Sequence, residues 1–170
     1  MTCLSPLRAV ADDLPRAMVA FGPEDLAAER LVLETIADAR QSIRIAAFAF
    51  SSPAIVDALV AAAQRGIDVR LVVDHGHNVV RDPKRIGRDA LDAVTRAGAE
   101  ARTNERHRLH HDKFMVIDGR HVQTGSYNYA VSANRNSENV LVVRDDAALA
   151  ARYLAHWTRR YDEGRRYPAP

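Results

Sequence analysis

The chain is poor in residues that would place it in several protein classes. It has one cysteine, Cys3. A single cysteine can neither close an internal disulfide nor build a cysteine-based zinc site. No stretch approaches the roughly 18 apolar residues that a membrane-spanning helix needs. The opening Met1-Thr2-Cys3-Leu4-Ser5-Pro6 lacks the apolar core of a signal peptide. A cytoplasmic protein is therefore expected, or a periplasmic or secreted one if a leader has been removed. Neither sign of charge dominates: 24 lysines and arginines face 22 acidic residues, a formal net charge of +2 that argues only weakly for a polyanionic partner. There is no low-complexity tract and no internal repeat. Lysine is scarce in its own right, since only Lys84 and Lys113 occur among the 24 basic residues.

What is present fits one compact domain over residues 1–170, with residues 1–15 expected as a loose N-terminal segment. At this length roughly 70 % of the unfolded surface can be buried. The pattern is α/β. Ala17 to Phe21 reads as a strand, and Gly22-Pro23-Glu24-Asp25 opens a helix that runs to Ala39. Ser42 to Phe50 is a strand. Ser52 as N-cap and Pro53 at the first helical position start a second helix that Gly66 ends. Asp68 to Asp74 is a strand, His75 to Arg88 a polar loop, Asp89 to Ala97 a helix, and Ala99 to Thr103 a strand. Asp145 or Asp146 caps a last helix to Glu163, with Leu149, Tyr153, Trp157 and Tyr161 as its core-facing stripe. Strands alternating with helices predict a mixed, mostly parallel sheet covered by helices on both faces.

The chemistry gathers in His111-Asp112-Lys113-Phe114-Met115-Val116-Ile117-Asp118-Gly119. Phe114 to Ile117 is a buried-strand signal that stops at an Asp-Gly turn. Residues two apart on a strand share a face, so His111 and Lys113 point the same way. An imidazole beside an ammonium suits an anion, and a lysine in so lysine-poor a chain hints at a need for a compact point charge rather than a planar guanidinium. The return strand, His121 to Ser126, ends in Gly125-Ser126-Tyr127-Asn128. The polar loop Ser132 to Arg135 follows, then Asn136-Ser137-Glu138-Asn139 opens the strand Val140 to Val143. Hydroxyl and amide side chains at strand ends can donate to phosphate oxygens, although Ser126, Asn128 and Asn136 are each ordinary turn residues when taken alone. A carboxylate such as Glu138 can fix the tautomer of a catalytic histidine. His75 with His77, and His107 with His110, read as loop histidines, because metal ligation needs three or four convergent ligands. Arg159, Arg160, Arg165 and Arg166 suit a solvated helix end and a nucleic-acid contact about equally.

The block from His111 to Asn139 resembles the H-x-K-x4-D signature of the phospholipase D superfamily, with its trailing Gly-Ser-x-Asn and Ser-Glu-Asn elements. From about Val19 to Tyr167 the chain is similar to the small bacterial Nuc-type endonucleases, which carry one motif per chain. Ser42-Ile43-Arg44, Arg65-Gly66-Ile67-Asp68-Val69-Arg70 and His156-Trp157 belong to that likeness. The loop between Gly125-Ser126 and Ser137-Glu138 is about one residue short of the pattern.

The expected activity is hydrolysis of a phosphodiester without metal or other cofactor. His111 would be the nucleophile, forming a phosphohistidine, and Glu138 would orient it. Lys113, Ser126, Asn128 and Asn139 would bind the phosphate. Asp118 is assigned a supporting ionic role, since its parity puts it off the His111 face. One imidazole cannot be both nucleophile and leaving-group acid in the same step. A single motif per chain thus implies a twofold homodimer that joins two copies of His111, as the resemblance also does. The expected substrate is DNA, with RNA a further one. The alternatives are a phospholipase or cardiolipin hydrolase with the same chemistry, and a non-catalytic nucleic-acid-binding module.

Overall fold

In the computed structural model, residues 16–168 are described; the expected loose segment 1–15 and Cys3 lie outside them. Eight strands form one sheet: β1 (Ala17–Gly22), β2 (Ser42–Ala47), β3 (Asp68–Asp74), β4 (Glu100–Asn104), β5 (Lys113–Ile117), β6 (His121–Gly125), β7 (Glu138–Val143) and β8 (Arg165–Tyr167). Four helices accompany them: α1 (Ala27–Ala37), α2 (Pro53–Gln64), α3 (Ile86–Arg96) and α4 (Ala147–Glu163). The strand order is β1-β7-β6-β5-β2-β3-β4-β8, so β5 lies inside the sheet between β6 and β2.

The sheet is mixed, but it is not mostly parallel. Only β2–β3 and β3–β4 pair in parallel, while the other five pairings are antiparallel. The physical reason is connection length. Helical crossovers join β2 to β3 and β3 to β4, whereas the tight turn at Asp118-Gly119 joins β5 to β6 and can only return the chain antiparallel.

Helices cover both faces, as expected. Met115 and Ile117 of β5 point into the core shared with α1, α2 and α3, while Phe114 and Val116 point into a second core under α4. The four side chains are all buried, which accounts for the unbroken apolar run. On α4, Trp157 and Tyr161 are buried and stacked with ring centroids 4.5 Å apart, and the Trp157 indole N–H donates to the Ile45 carbonyl at 2.8 Å. Full burial of a large apolar side chain contributes about 1.5–3 kcal/mol. Leu149 and Tyr153, from the same stripe, are only half-buried.

Local signals mostly act where the sequence puts them. Ser52 caps α2 by accepting from the Ile55 N–H, with Pro53 following, and Asp146 caps α4 by accepting from the Leu149 N–H at 2.9 Å. The loop expected over His75 to Arg88 is more ordered. Gly76–Val80 forms a π-helical turn, and α3 begins at Ile86, where the Asp82 carboxylate accepts from the Arg88 N–H at 2.9 Å. The loop expected at Ser132 to Arg135 is a 3-10 turn, Val131–Arg135. No helix among the described residues is long and apolar enough to cross a membrane.

Candidate active site

The site forms where β5 begins and β6 ends. Lys113 is the first residue of β5, and its ammonium donates to the His111 carbonyl at 2.8 Å. His111 lies just before the strand and is exposed. Its ring sits against Phe48 with centroids 4.6 Å apart, and the Lys113 ammonium lies 5.3 Å from the centre of the Phe48 ring. Phe48 is thus a shared wall that sequence reading did not single out. Burial pushes the Lys113 pKa below the ordinary lysine value, and the Asp112 and Glu138 carboxylates only partly offset this. A partly desolvated ammonium gains from an added anion, which restores the interactions that water supplied.

Gly125 makes the approach of β6 to β7 possible. A Cβ there would lie 2.1 Å from the Asn139 carbonyl oxygen, and its φ is +156°. Just past it, the Ser126 N–H donates to the Asn139 carbonyl at 3.1 Å and the Ser126 hydroxyl accepts from the Asn139 N–H at 3.0 Å. The same hydroxyl donates to Glu138, whose other carboxylate oxygen accepts from the Asn136 amide at 3.1 Å. The loop is pinned from below by two buried tyrosines. Tyr127 donates to Asn134 at 2.6 Å, and Tyr129 donates to Gln123 at 2.6 Å. Burial raises both phenol pKa values far above the ordinary one, so both remain donors. Asn128, between them, is half-buried and leaves its Oδ1 without a partner among the described residues.

Of the seven residues assigned to the site, His111 and Lys113 are neighbours, and Ser126, Glu138 and Asn139 form one hydrogen-bonded group whose carboxylate bears on Lys113. Asn128 follows in the same loop. Within one chain Glu138 bonds Ser126 and Asn136 rather than the His111 ring, so the expected orienting contact is not made there. Asp118 stands apart from that group. It lies past the far end of β5, roughly 17 Å from Lys113 at strand rise. Its carboxylate accepts from the backbone N–H groups of Arg40, Gln41 and Ser42 at 2.9, 2.8 and 2.8 Å. With φ of +53° it opens a primed turn with Gly119, φ +65°, closed by the Arg120 N–H on the Ile117 carbonyl at 3.0 Å. Within one chain the Asp118 carboxylate is bound into this turn, away from the His111–Lys113 pair.

Two further features were missed. Asp112 takes the opposite parity to His111 and Lys113 and accepts from or pairs with His156 of α4 at 2.9 Å; the buried His110 ring stands 3.7 Å from the same carboxylate oxygen. Strand alternation inside the motif was the available signal for Asp112. A cleft of about 590 Å³ adjoins the site on the α4 side, bordered by His111, Lys113, Gly125, Arg152, Tyr153 and His156 among others. No three His, Cys, Asp or Glu side chains converge as a metal-ligand set among the described residues.

A mixed sheet with one histidine–lysine pair at the head of an inner strand defines a single-motif protein of the phospholipase D fold class. Comparison with known proteins agrees. The family model described as "Cardiolipin synthase, PLD-like domain" matches residues 32–161. The crystal structure of Nuc from Salmonella typhimurium, a phospholipase D family member, superposes with a TM-score of 0.84 at 38 % identity, covering 89 % of this chain and 97 % of that one. Among curated relatives, a phospholipase D of Rickettsia bellii is 33 % identical over 77 % of this chain, and the mitochondrial cardiolipin hydrolase of Xenopus laevis is 28 % identical over 94 %. The matches span 62 % and 70 % of those two proteins' own lengths. The chain belongs to the phospholipase D superfamily, and its homologues there are phosphodiesterases.

Proposed function

We propose that the chain is a metal-independent endonuclease that cleaves DNA, and RNA by the same chemistry, as a homodimer. The observation that carries this reading is the pairing of an exposed imidazole with a partly desolvated ammonium, next to the Ser126–Glu138–Asn139 group. His111 attacks phosphorus, the bond from phosphorus to the leaving oxygen breaks, and a phosphohistidine forms. Lys113 and the Ser126 and Asn128 side chains balance charge on the non-bridging oxygens. The leaving oxygen takes its proton from a second histidine, which then deprotonates the water that cleaves the phosphorus–nitrogen bond. One chain offers one such histidine, so a second copy of His111 supplies the acid. An apolar strip favours a partner copy: Val19 and Phe21 of β1 and Leu141 of β7 are exposed, and Val19 pairs with Leu141 beside the Glu138–Asn139 end.

A second reading is a phospholipase or cardiolipin hydrolase. Two of the relatives carry those names, and an exposed apolar strip also suits a lipid. One assay separates the two. Plasmid DNA and labelled cardiolipin vesicles are offered side by side in EDTA, with the molar mass followed by light scattering. DNA cleavage that survives EDTA in a dimer is expected. Activity lost in EDTA and restored by Mg²⁺ sinks the metal-independent mechanism. A monomer that cleaves DNA at assay concentration sinks the shared site, and lipid turnover without DNA cleavage favours the second reading.

A further inference from the structure

The cleft of about 590 Å³ extends from the reactive pair to the side of α4. Alternation along β5 sends Phe114 toward α4, with Lys113 on the other parity, and the cleft is bordered both by His111 and Lys113 and by Leu149, Arg152, Tyr153 and His156 of α4. Its α4 wall is of two kinds. Leu149 and Tyr153, one turn apart, are half-buried, and the Tyr153 ring is held edge-on against Phe114 with centroids 4.9 Å apart. Arg152 beside them is exposed, with no ion-pair partner among the described residues. The carboxylate on this wall, Asp112, is already held by His156 at 2.9 Å. The cleft therefore offers an aromatic and aliphatic surface together with the Arg152 guanidinium, which has no ion-pair partner among the described residues.

Resting on the nuclease reading above, we infer that this cleft is a subsite for one unpaired nucleoside beside the scissile phosphate, which makes single-stranded nucleic acid the substrate. The base lies against Tyr153 and Leu149, and the next phosphate meets Arg152. Every base has a face that stacks on an aromatic ring, so such a subsite tolerates any sequence. A duplex keeps those faces stacked inside and shows a protein only groove edges and phosphates, which do not fill an apolar-walled cleft. The volume lies within the range of pockets that enclose a small ligand. Arg159, also exposed, lies about 10 Å further along the same side of α4 and continues the positive track away from the cleft.

The test uses the full chain at one fixed salt concentration. The substrates are an end-labelled single-stranded oligonucleotide, the same strand annealed to its complement, bis(nitrophenyl) phosphate, and cardiolipin vesicles. Wild type is expected to cut the single strand in preference to the duplex. Tyr153→Leu is expected to raise KM for the single strand about five- to a hundredfold, the worth of one stacking contact, and Arg152→Glu to raise it through loss of the phosphate contact and reversal of charge. The loss on bis(nitrophenyl) phosphate should be much smaller. Arg65→Glu, at the C-terminal end of α2 across the sheet, controls for generic charge and should cut like wild type. Equal cutting of duplex and single strand by wild type, or an unchanged KM for Arg152→Glu, overturns the subsite and leaves the nuclease reading standing. Arg152 is exposed, so that arm survives even if the Tyr153 variant fails to fold. Vesicle hydrolysis without cleavage of either nucleic acid overturns both.

Discussion

At one end of β5 the Asp118 carboxylate accepts three backbone N–H groups; at the other the Lys113 ammonium donates to a single carbonyl and borders an open cleft. The two pKa directions say the same thing. Burial pushes Asp118 up, but the N–H groups of Ser42, Gln41 and Arg40 outweigh it and hold the carboxyl below its ordinary range. Burial pushes Lys113 down, and the nearby carboxylates do not fully restore it. One charge is satisfied by the fold, and the other is left to be satisfied by something the fold does not contain. A run of residues that reads as one motif thus joins a reactive end to a folding end, with the buried strand as spacer.

The largest effect should come at the reactive end. His111→Ala is expected to lower kcat on DNA by about 10⁴-fold or more, as removal of a nucleophile does. The thermal midpoint should barely move, because the ring is exposed. Kinetics within an order of magnitude of wild type would place the nucleophile elsewhere.

Lys113→Arg comes next. Arginine keeps the charge but replaces a compact ammonium with a planar fork in a half-buried place beside Phe48. Losing one preorganised electrostatic contact costs about 10²–10³-fold in kcat. A rate near wild type would reduce Lys113 to a generic cation, and the scarcity of lysine would carry no message.

The parts of the chain with local rules were legible from sequence. Ser52-Pro53 and Gly66 bound α2, Asp146 caps α4, and Gly125-Ser126 and Glu138-Asn139 meet because β6 and β7 are adjacent antiparallel strands, with Gly125 paired to Val140. What was missed depends on long-range pairing. β8 has three residues, two of them arginine, so no alternation marks it. It is held by pairing with β4 and by the Tyr167 hydroxyl on Asp92 at 2.8 Å. The turn after β3 reads as polar loop because its organiser is one buried side chain. Asn78 donates to the Phe48 and Asp74 carbonyls at 2.7 and 2.8 Å and accepts from the Phe50 N–H at 2.9 Å. Phe48 also lies against His77 of that turn, at 4.5 Å between centroids, as well as against His111. The cleft wall escaped for a similar reason, because Arg152 and His156 meet Asp112 and Lys113 only after α4 docks.

The smallest catalytic effect belongs to the folding end, where the readout is stability. Asp118→Ala leaves the N–H groups of Arg40, Gln41 and Ser42 without their acceptor. A hydrogen bond to a charged group contributes about 1.5–3 kcal/mol, and solvent exposure at this turn reduces the sum, so a net loss of about 2 kcal/mol is expected. The sign with pH follows from the lowered pKa. A carboxyl whose folded pKa lies below its unfolded one contributes fully above the unfolded value, near 3.9, and loses that contribution as pH falls through the folded value. Urea unfolding of wild type and Asp118→Ala should therefore show a constant gap from neutral pH down to about pH 5, closing on further acidification. Asp118→Asn, which keeps one acceptor oxygen, should fall between them. The kcat of both variants on DNA should drop far less than that of Lys113→Arg. A gap that ignores acidification, or a catalytic loss as deep as at Lys113, would return Asp118 to the reactive cluster.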